Sequence, residues 1–231
     1  TAMIYRNEAA VGRALAASGI ARDEIFVTTK LWNSDQGTEN TPVALQTSLE
    51  LLGLDYVDLY LIHWPAPLRD DYVATWLALE ELHAQGLAKA IGVSNFEPEH
   101  LEKIMEAGSI TPAINQVELH PAFQQRTPRA FQEPLGIITE AWGPLGQGKY
   151  ELSELPGLVE LAKAKGRSIQ QIVLRWHLQE GVVVFPKTAR KERLVENLSV
   201  FDFDLTAEEM DIVAAMDINK RVGTHPDDGN W

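Results

Sequence analysis

A parallel α/β fold of the (β/α)8 barrel type, entered after its second strand, is the class that the sequence predicts. Short β-rich runs alternate strictly with longer amphipathic stretches, which implies a parallel sheet with helical crossovers. Six strands are counted in the sequence where a barrel needs eight. The deficit, two strands and their connecting helix, amounts to about 40–50 residues of a typical ~250-residue barrel. The competing doubly wound sheet should carry Gly-x-Gly-x-x-Gly after its first strand. In Gly143-Pro-Leu-Gly146-Gln-Gly148 the glycines stand in another order and no helix opens at once. No linker, repeat or low-complexity block divides the chain, so a single barrel domain is expected over residues 1–231.

Each element has its own signal. A first helix is read from Asn7 to Ser18, apolar at Ala10, Val11, Ala14 and Leu15 and stopped by Gly19. Ile25–Thr29 is an apolar, β-branched run and reads as a buried strand. Helix follows from Thr41 to Leu52, with Gly53 as its stop, then a strand over Val57–Ile62 and a helix from Tyr72 to Gln85 before Gly86. Ala90–Val93 is the next strand. Pro98 fits the first turn of a helix reaching Ala107. Strands at Ile114–Val117 and Ile137–Ala141 flank a helix at Pro128–Glu133. Two helices, Leu155–Lys165 and Ser168–Gln179, precede a strand at Val182–Phe185 and a helix at Lys191–Asn197. Thr206-Ala-Glu-Glu is a capping signal for a last helix to Met216.

Composition narrows the function. The chain has 20 Lys+Arg against 33 Asp+Glu, a net charge of −13, which argues against nucleic acid or an anionic membrane as partner. It has no cysteine, hence no thiol nucleophile and no Cys-ligated metal. No apolar run approaches the ~18 residues of a membrane span, and the 45% apolar content suits a soluble protein of the cytoplasm.

Chemistry collects at the C-terminal ends of barrel strands. Those ends read Lys30-Leu-Trp32, His63-Trp64-Pro65, Ser94-Asn95-Phe96, Glu118-Leu-His120-Pro121, Trp142-Gly143-Pro144 and Pro186-Lys187-Thr188. Strand ends are also where polar loops begin, but that accounts poorly for Lys30 and His63, each after an apolar run and close to a Trp. There is no carboxylate pair, no His-Glu-x-x-His and no Gly-x-Ser-x-Gly, which weakens glycosidase, metalloenzyme and serine-hydrolase readings. Tyr5, Lys30 and His63 can deliver a proton: an ammonium near a phenol lowers its pKa and makes it a usable general acid. A carbonyl receiving a hydride needs such a donor. Lys187-Thr-Ala-Arg190-Lys191-Glu-Arg193 carries four basic residues in an acidic chain, where a helix opens after the last strand, the usual place of a phosphate site. Among other residues, His83, His100 and His177 are read as surface or packing residues and Trp76 and Trp176 as core. Asp58 is read as a local partner, and His120 as either structural or pocket-lining.

These residues resemble the aldo-keto reductases. The motifs are Thr1-Ala-Met-Ile-Tyr5-Arg-Asn-Glu8, Thr28-Thr-Lys30-Leu-Trp32, Leu61-Ile-His63-Trp-Pro65, Gly92-Val-Ser-Asn-Phe96, Asn115-Gln-Val-Glu-Leu-His-Pro121, Trp142–Gly148, Phe185-Pro-Lys-Thr188 and Glu192-Arg193 with Glu196-Asn197, in family order. Trp142–Gly148, Leu174-Arg-Trp-His-Leu178 and Arg221–Asp228 look most like the bacterial 2,5-diketo-D-gluconate reductases. The resemblance implies a monomeric NADPH-dependent reductase of aldehydes and ketones. Its candidate substrates are 2,5-diketo-D-gluconate, giving 2-keto-L-gulonate, and small dicarbonyls such as methylglyoxal. It implies Tyr5 as proton donor, Lys30 as the group tuning it and His63 as orienter of the carbonyl, with hydride from nicotinamide C4. Ser94, Asn95 and Gln116 would hold the carboxamide and Trp142 would stack on the ring. Gly143, Leu145, Gln147 and Gly148 would cover the pyrophosphate. Lys187, Thr188 and Arg193 would bind the 2′-phosphate, with Phe185, Glu196 and Asn197 at the adenosine. Trp32 and Trp64 would wall the substrate pocket.

Arg6 stands where the family often has Gly, and Thr188 and Gly143 where Ser is commoner. The family's Asp that pairs with the lysine immediately precedes the Thr-Ala of this start, so it and two strands lie outside the sequence. A barrel lacking two strands exposes sheet edges, and the 231 residues alone are expected to be aggregation-prone or partly folded. An NADPH-binding regulatory subunit without turnover and an inactive fragment remain the alternatives.

Overall fold

The computed structural model describes residues 1–230. Six parallel strands, β1 (Thr28–Leu31), β2 (Val57–Ile62), β3 (Ala88–Ser94), β4 (Ile114–Glu118), β5 (Ile138–Trp142) and β6 (Val183–Val184), form one sheet in chain order. The helices are α1 (Glu8–Ser18), α2 (Asn40–Leu52), α3 (Tyr72–Ala84), α4 (Pro98–Ala107), α5 (Arg126–Gln132), α6 (Leu158–Lys165), α7 (Ile169–Gln179), α8 (Lys191–Leu198) and α9 (Ala207–Ala214). No helix among the described residues is long and apolar enough to cross a membrane.

The chain divides into two compact units. The first holds residues up to Asn115, the short turn Pro134–Ile137 and the tail from His225. In it β2 pairs with β1 and β3 in parallel register, Lys30 opposite Leu61 and Leu61 opposite Gly92. β2 is buried at every position except Asp58, as expected of a strand with both faces covered. Asp58 accepts a bond from Val27 N–H at 2.8 Å and pairs with Arg22 at 2.7 Å. That engagement explains why β1 starts at Thr28 and not at Ile25. Val27 N–H is taken by a side chain and Phe26 is exposed, so the apolar run Ile25-Phe-Val lies ahead of the ladder. The core contains Leu45, Leu59, Tyr60, Trp76, Leu79 and Val93, each worth roughly 1.5–3 kcal/mol of buried apolar surface. α4 opens on a capping box in which the Glu97 N–H donates to His100 Nδ1 at 3.2 Å.

The second unit holds Gln116–Glu133 and Ile138–Thr224. Its core joins Val117 and Ala141 to Leu158, Ile172, Trp176 and Val213. Capping boxes at Ser168 and Thr206 start α7 and α9, the second of them as the sequence indicates. Three elements are shorter than expected, α9 among them, which ends at Ala214 and not at Met216. α6 begins at Leu158 and not at Leu155, because Pro156 is followed by Gly157 in a left-handed conformation (φ 79°). β6 keeps two of four expected residues because Pro186 has no N–H to give the ladder and biases Phe185.

Candidate functional site

The first unit gathers Tyr5, Lys30, His63 and Trp32. β1 presents Lys30, buried, beside the end of β2. His63 follows β2 directly, its N–H bonded to Leu31 O at 3.1 Å. Tyr5 sits in a 3-10 turn whose N–H closes on Ala2 O at 3.0 Å. The Tyr5 and His63 rings meet edge to face at 5.6 Å and the Trp32 and His63 rings at 5.2 Å. Lys30 Nζ stands over the Tyr5 ring, 5.2 Å from its centroid, and donates to Thr1 O at 3.1 Å.

The electrostatics correct one expectation. The pKa of Tyr5 is raised from 10.0, not lowered, because partial desolvation by the surrounding protein disfavours the charged phenolate. The ammonium lies over the face of the ring, where it attracts the π-system. His63 is pushed down to about 3 by burial first and by the Lys30 charge second, so its imidazole is neutral at pH 7. Its Nδ1 is buried without a hydrogen-bond partner.

Around this group the backbone is fixed by amides. Asn95, in a left-handed conformation (φ 63°), donates to His63 O at 3.0 Å and to Ser94 Oγ at 3.1 Å. Gln36 donates to Trp64 O at 2.7 Å. The tail reaches the same wall. Asn33 donates to Gly229 O at 3.0 Å, and a Cβ on Gly229 would fall 2.7 Å from Trp64 Cε3.

The second unit holds the other predicted residues. Gln116 donates to Glu140 from neighbouring strands β4 and β5. Trp142 ends β5 and is followed by a loop whose Gly143, Gly146, Gln147 and Gly148 all have φ between 52° and 72°. Gly146 N–H closes this turn on Gly143 O at 2.8 Å. Leu145 packs on the core, and His177 Nε2 lies 3.2 Å from Pro144 O. Lys187 and Arg193 are exposed, as are Arg190 and Lys191 at the start of α8, and Thr188 Oγ1 accepts the Arg190 N–H at 3.0 Å. Phe185 is exposed, while Glu196 and Asn197 are half-buried on α8.

Four functional-region residues carry more than the sequence suggested. Glu118, His120 and Tyr150 form a hydrogen-bonded chain, Oε1 to Nε2 at 3.2 Å and Nδ1 to the phenol at 2.9 Å. His177, read as a surface or packing residue, is fully buried, and it also holds the glycine-rich loop. His100 is buried too, stacked edge to face on Tyr72 and Phe96, while His83 Nδ1 meets Ala88 O at 2.9 Å. Among the described residues no group of three His, Asp or Glu could hold a metal ion.

Residues 1–218 match the aldo/keto reductase family. The chain is 47% identical over 228 residues to the glyoxal reductase of Bacillus subtilis, covering 99% of this chain and 81% of that protein. It is 48% identical over 227 residues to methylglyoxal reductase DkgA of Yersinia pestis, covering 98% of this chain and 81% of that one. Among solved structures, apo Gox0644 superposes with a TM-score of 0.93 at 48% identity, covering 98% of this chain and 82% of that one. A Gox0644 mutant in complex with NADPH superposes with a TM-score of 0.92 at the same identity and the same coverage of both chains.

Proposed function

The chain belongs to the aldo/keto reductase family, and from that premise we propose that it reduces small dicarbonyl compounds such as methylglyoxal to hydroxy-carbonyl products with NADPH. The observation that carries the reading is the meeting of Tyr5 and Trp32 on a neutral His63, with the Lys30 ammonium over the phenol. The relatives named glyoxal and methylglyoxal reductase support the dicarbonyl class. 2,5-Diketo-D-gluconate, a larger dicarbonyl acid, is the second substrate of this reading.

The residues present fit NADPH. A phosphate monoester seeks several cations and a hydroxyl, and Lys187, Thr188 and Arg193 offer them at the start of α8. The loop Gly143, Leu145, Gln147 and Gly148 offers backbone N–H groups for a pyrophosphate. Ser94, Asn95 and Gln116 carry side chains that suit a carboxamide, Trp142 a flat face for a ring, and Phe185, Glu196 and Asn197 a half-apolar bed for adenosine. When bound, the cofactor supplies the hydride that the carbonyl carbon receives.

The chain's own residues do the rest. Tyr5 gives its phenolic proton to the carbonyl oxygen as negative charge develops there. Neutral His63 donates an N–H to the same oxygen and orients it; a charged imidazolium is excluded by burial and by Lys30. Lys30 stabilises the phenolate left on Tyr5, an interaction stronger after proton transfer than before it and therefore catalytic. Trp32 and Trp64 keep water from the carbonyl.

The test is a steady-state screen of the full-length protein with NADPH against methylglyoxal, 2,5-diketogluconate and simple aldehydes. Turnover highest with methylglyoxal supports the reading. NADPH binding without turnover on any of them refutes it and leaves a cofactor-binding subunit.

A further inference from the structure

In the second unit the segment Ile218–Gly223 is tied to the turn after β4. Ile218 and Lys220 N–H both donate to Ala122 O, at 3.3 and 2.9 Å, and the Arg221 guanidinium lies over the Phe123 ring at 4.7 Å. The tie ends on Glu118, the last residue of β4. Its Oε1 accepts the Val222 N–H at 2.6 Å and its Oε2 the Gly223 N–H at 2.9 Å. Held there, Gly223 lies so close to the Trp142 indole that a Cβ would overlap it.

Glu118 has a second arm. With a carboxylate as acceptor, His120 Nε2 carries the hydrogen, so Nδ1 accepts the Tyr150 O–H. The Tyr150 ring then lies against Gly146, where a Cβ would fall 2.5 Å from Cε1. Glu118 is 1% and His120 0% exposed. Burial works against the charge of Glu118, but bonds from His120, Val222 and Gly223 outweigh it and hold the carboxyl below its ordinary pKa.

We propose that Glu118 is a positioning residue for NADPH. One buried carboxylate sets the segment Ile218–Gly223 against Trp142 and, through His120 and Tyr150, sets the glycine-rich loop, so that indole and loop take up the cofactor as a unit. The proposal rests on the reading of Trp142 and the loop as cofactor-binding.

The experiment titrates NADPH into the full-length protein without carbonyl substrate, followed by quenching of tryptophan fluorescence, and adds the KM values for both substrates. Glu118→Gln keeps the shape but cannot accept both N–H groups. Its Kd and KM for NADPH are expected to rise about tenfold, the loss of one charge-assisted hydrogen bond. Its KM for methylglyoxal and its kcat at saturating NADPH are expected to stay within twofold of wild type. Tyr150→Phe keeps the ring on Gly146 and breaks only the bond to His120, so a rise of about threefold is expected. The double variant should rise by less than the product of the two, because both break one chain. If Glu118→Gln does not fold, Tyr150→Phe carries the test alone. An unchanged NADPH Kd in the variants overturns the positioning role. So does an equal rise in both KM values with a lowered melting temperature, which marks a structural role. Wild-type protein that binds no NADPH overturns the cofactor reading and this proposal with it.

Discussion

Replacing Tyr5 by Phe separates the proton from the packing. The ring is 54% exposed and touches His63 by its edge and Lys30 by its face, contacts that Phe keeps. Folding stability should therefore move by less than about 0.5 kcal/mol, and NADPH affinity should not move. A positioned general acid contributes about 10²–10⁴-fold, or roughly 3–5 kcal/mol of barrel-site transition-state stabilisation at about 1.4 kcal/mol per decade. The assay is loss of NADPH absorbance with methylglyoxal, together with a cofactor titration and a thermal melt. The pH profile adds a second constraint. Tyr5 must be protonated to act, and its pKa is raised above 10.0, so wild-type reduction should fall only at pH values above about 10. His63, at about 3, contributes no limb near neutrality. A variant keeping more than about a tenth of kcat refutes the donor role. An alkaline limb in the wild type centred below about pH 8 refutes the raised phenol, and shows Lys30 acting on the hydroxyl itself.

Arg193→Met should raise KM for NADPH about tenfold through one lost charge-assisted contact while leaving KM for NADH unchanged; an unaltered ratio of the two would remove Arg193 from the phosphate site. His177 is pushed down to about 3 by burial, so the folded protein refuses a proton that the unfolded chain accepts below about 6.5. Its stabilising share is complete above pH ~6.5 and is lost as the pH falls toward 3, by up to about 1.4 kcal/mol per pH unit. His177→Gln, whose amide can still donate to Pro144 O, should flatten that loss in urea unfolding at pH 7.5 and 5, and parallel curves for both proteins would contradict it. Thr206→Ala removes the cap that accepts the Glu209 N–H and should cost about 1 kcal/mol of stability, read as a lower melting temperature; an unshifted melt would show α9 held by packing alone.

Legibility in the sequence followed the range of the interactions. The β2 run, the Thr206 cap and the Pro98 start are written within a few residues of one another, and the structure has them where the pattern puts them. Tyr5, Lys30 and His63 are far apart in the chain, yet strand ends bring Lys30 and His63 side by side, and parallel alternation is visible in sequence. The start of β1 was not legible, because Asp58 takes the Val27 N–H from 31 positions away. Nor was the role of Glu118. Its partners Val222 and Gly223 stand 104 and 105 positions on and offer only backbone N–H groups, which every residue but proline has. His177 is the same case with a carbonyl as partner.

The direction of the Tyr5 pKa failed for a reason that bears on the mechanism. Sequence shows that an ammonium and a phenol are both present, not on which side of the ring the charge stands. An ammonium beside the hydroxyl would favour phenolate before the carbonyl arrives and leave a weaker stock of acid at neutral pH. Over the ring face, Lys30 lowers the pKa of the phenol by less than desolvation raises it, so the net shift is upward and the proton stays on. The charge is felt fully only when the proton has left and the ring becomes anionic. On the proposed mechanism the same burial that raises Tyr5 and suppresses imidazolium on His63 leaves both groups as neutral donors. The Lys30 charge then interacts more strongly with the state that follows proton transfer than with the one before it, and such a difference between states is what lowers a barrier.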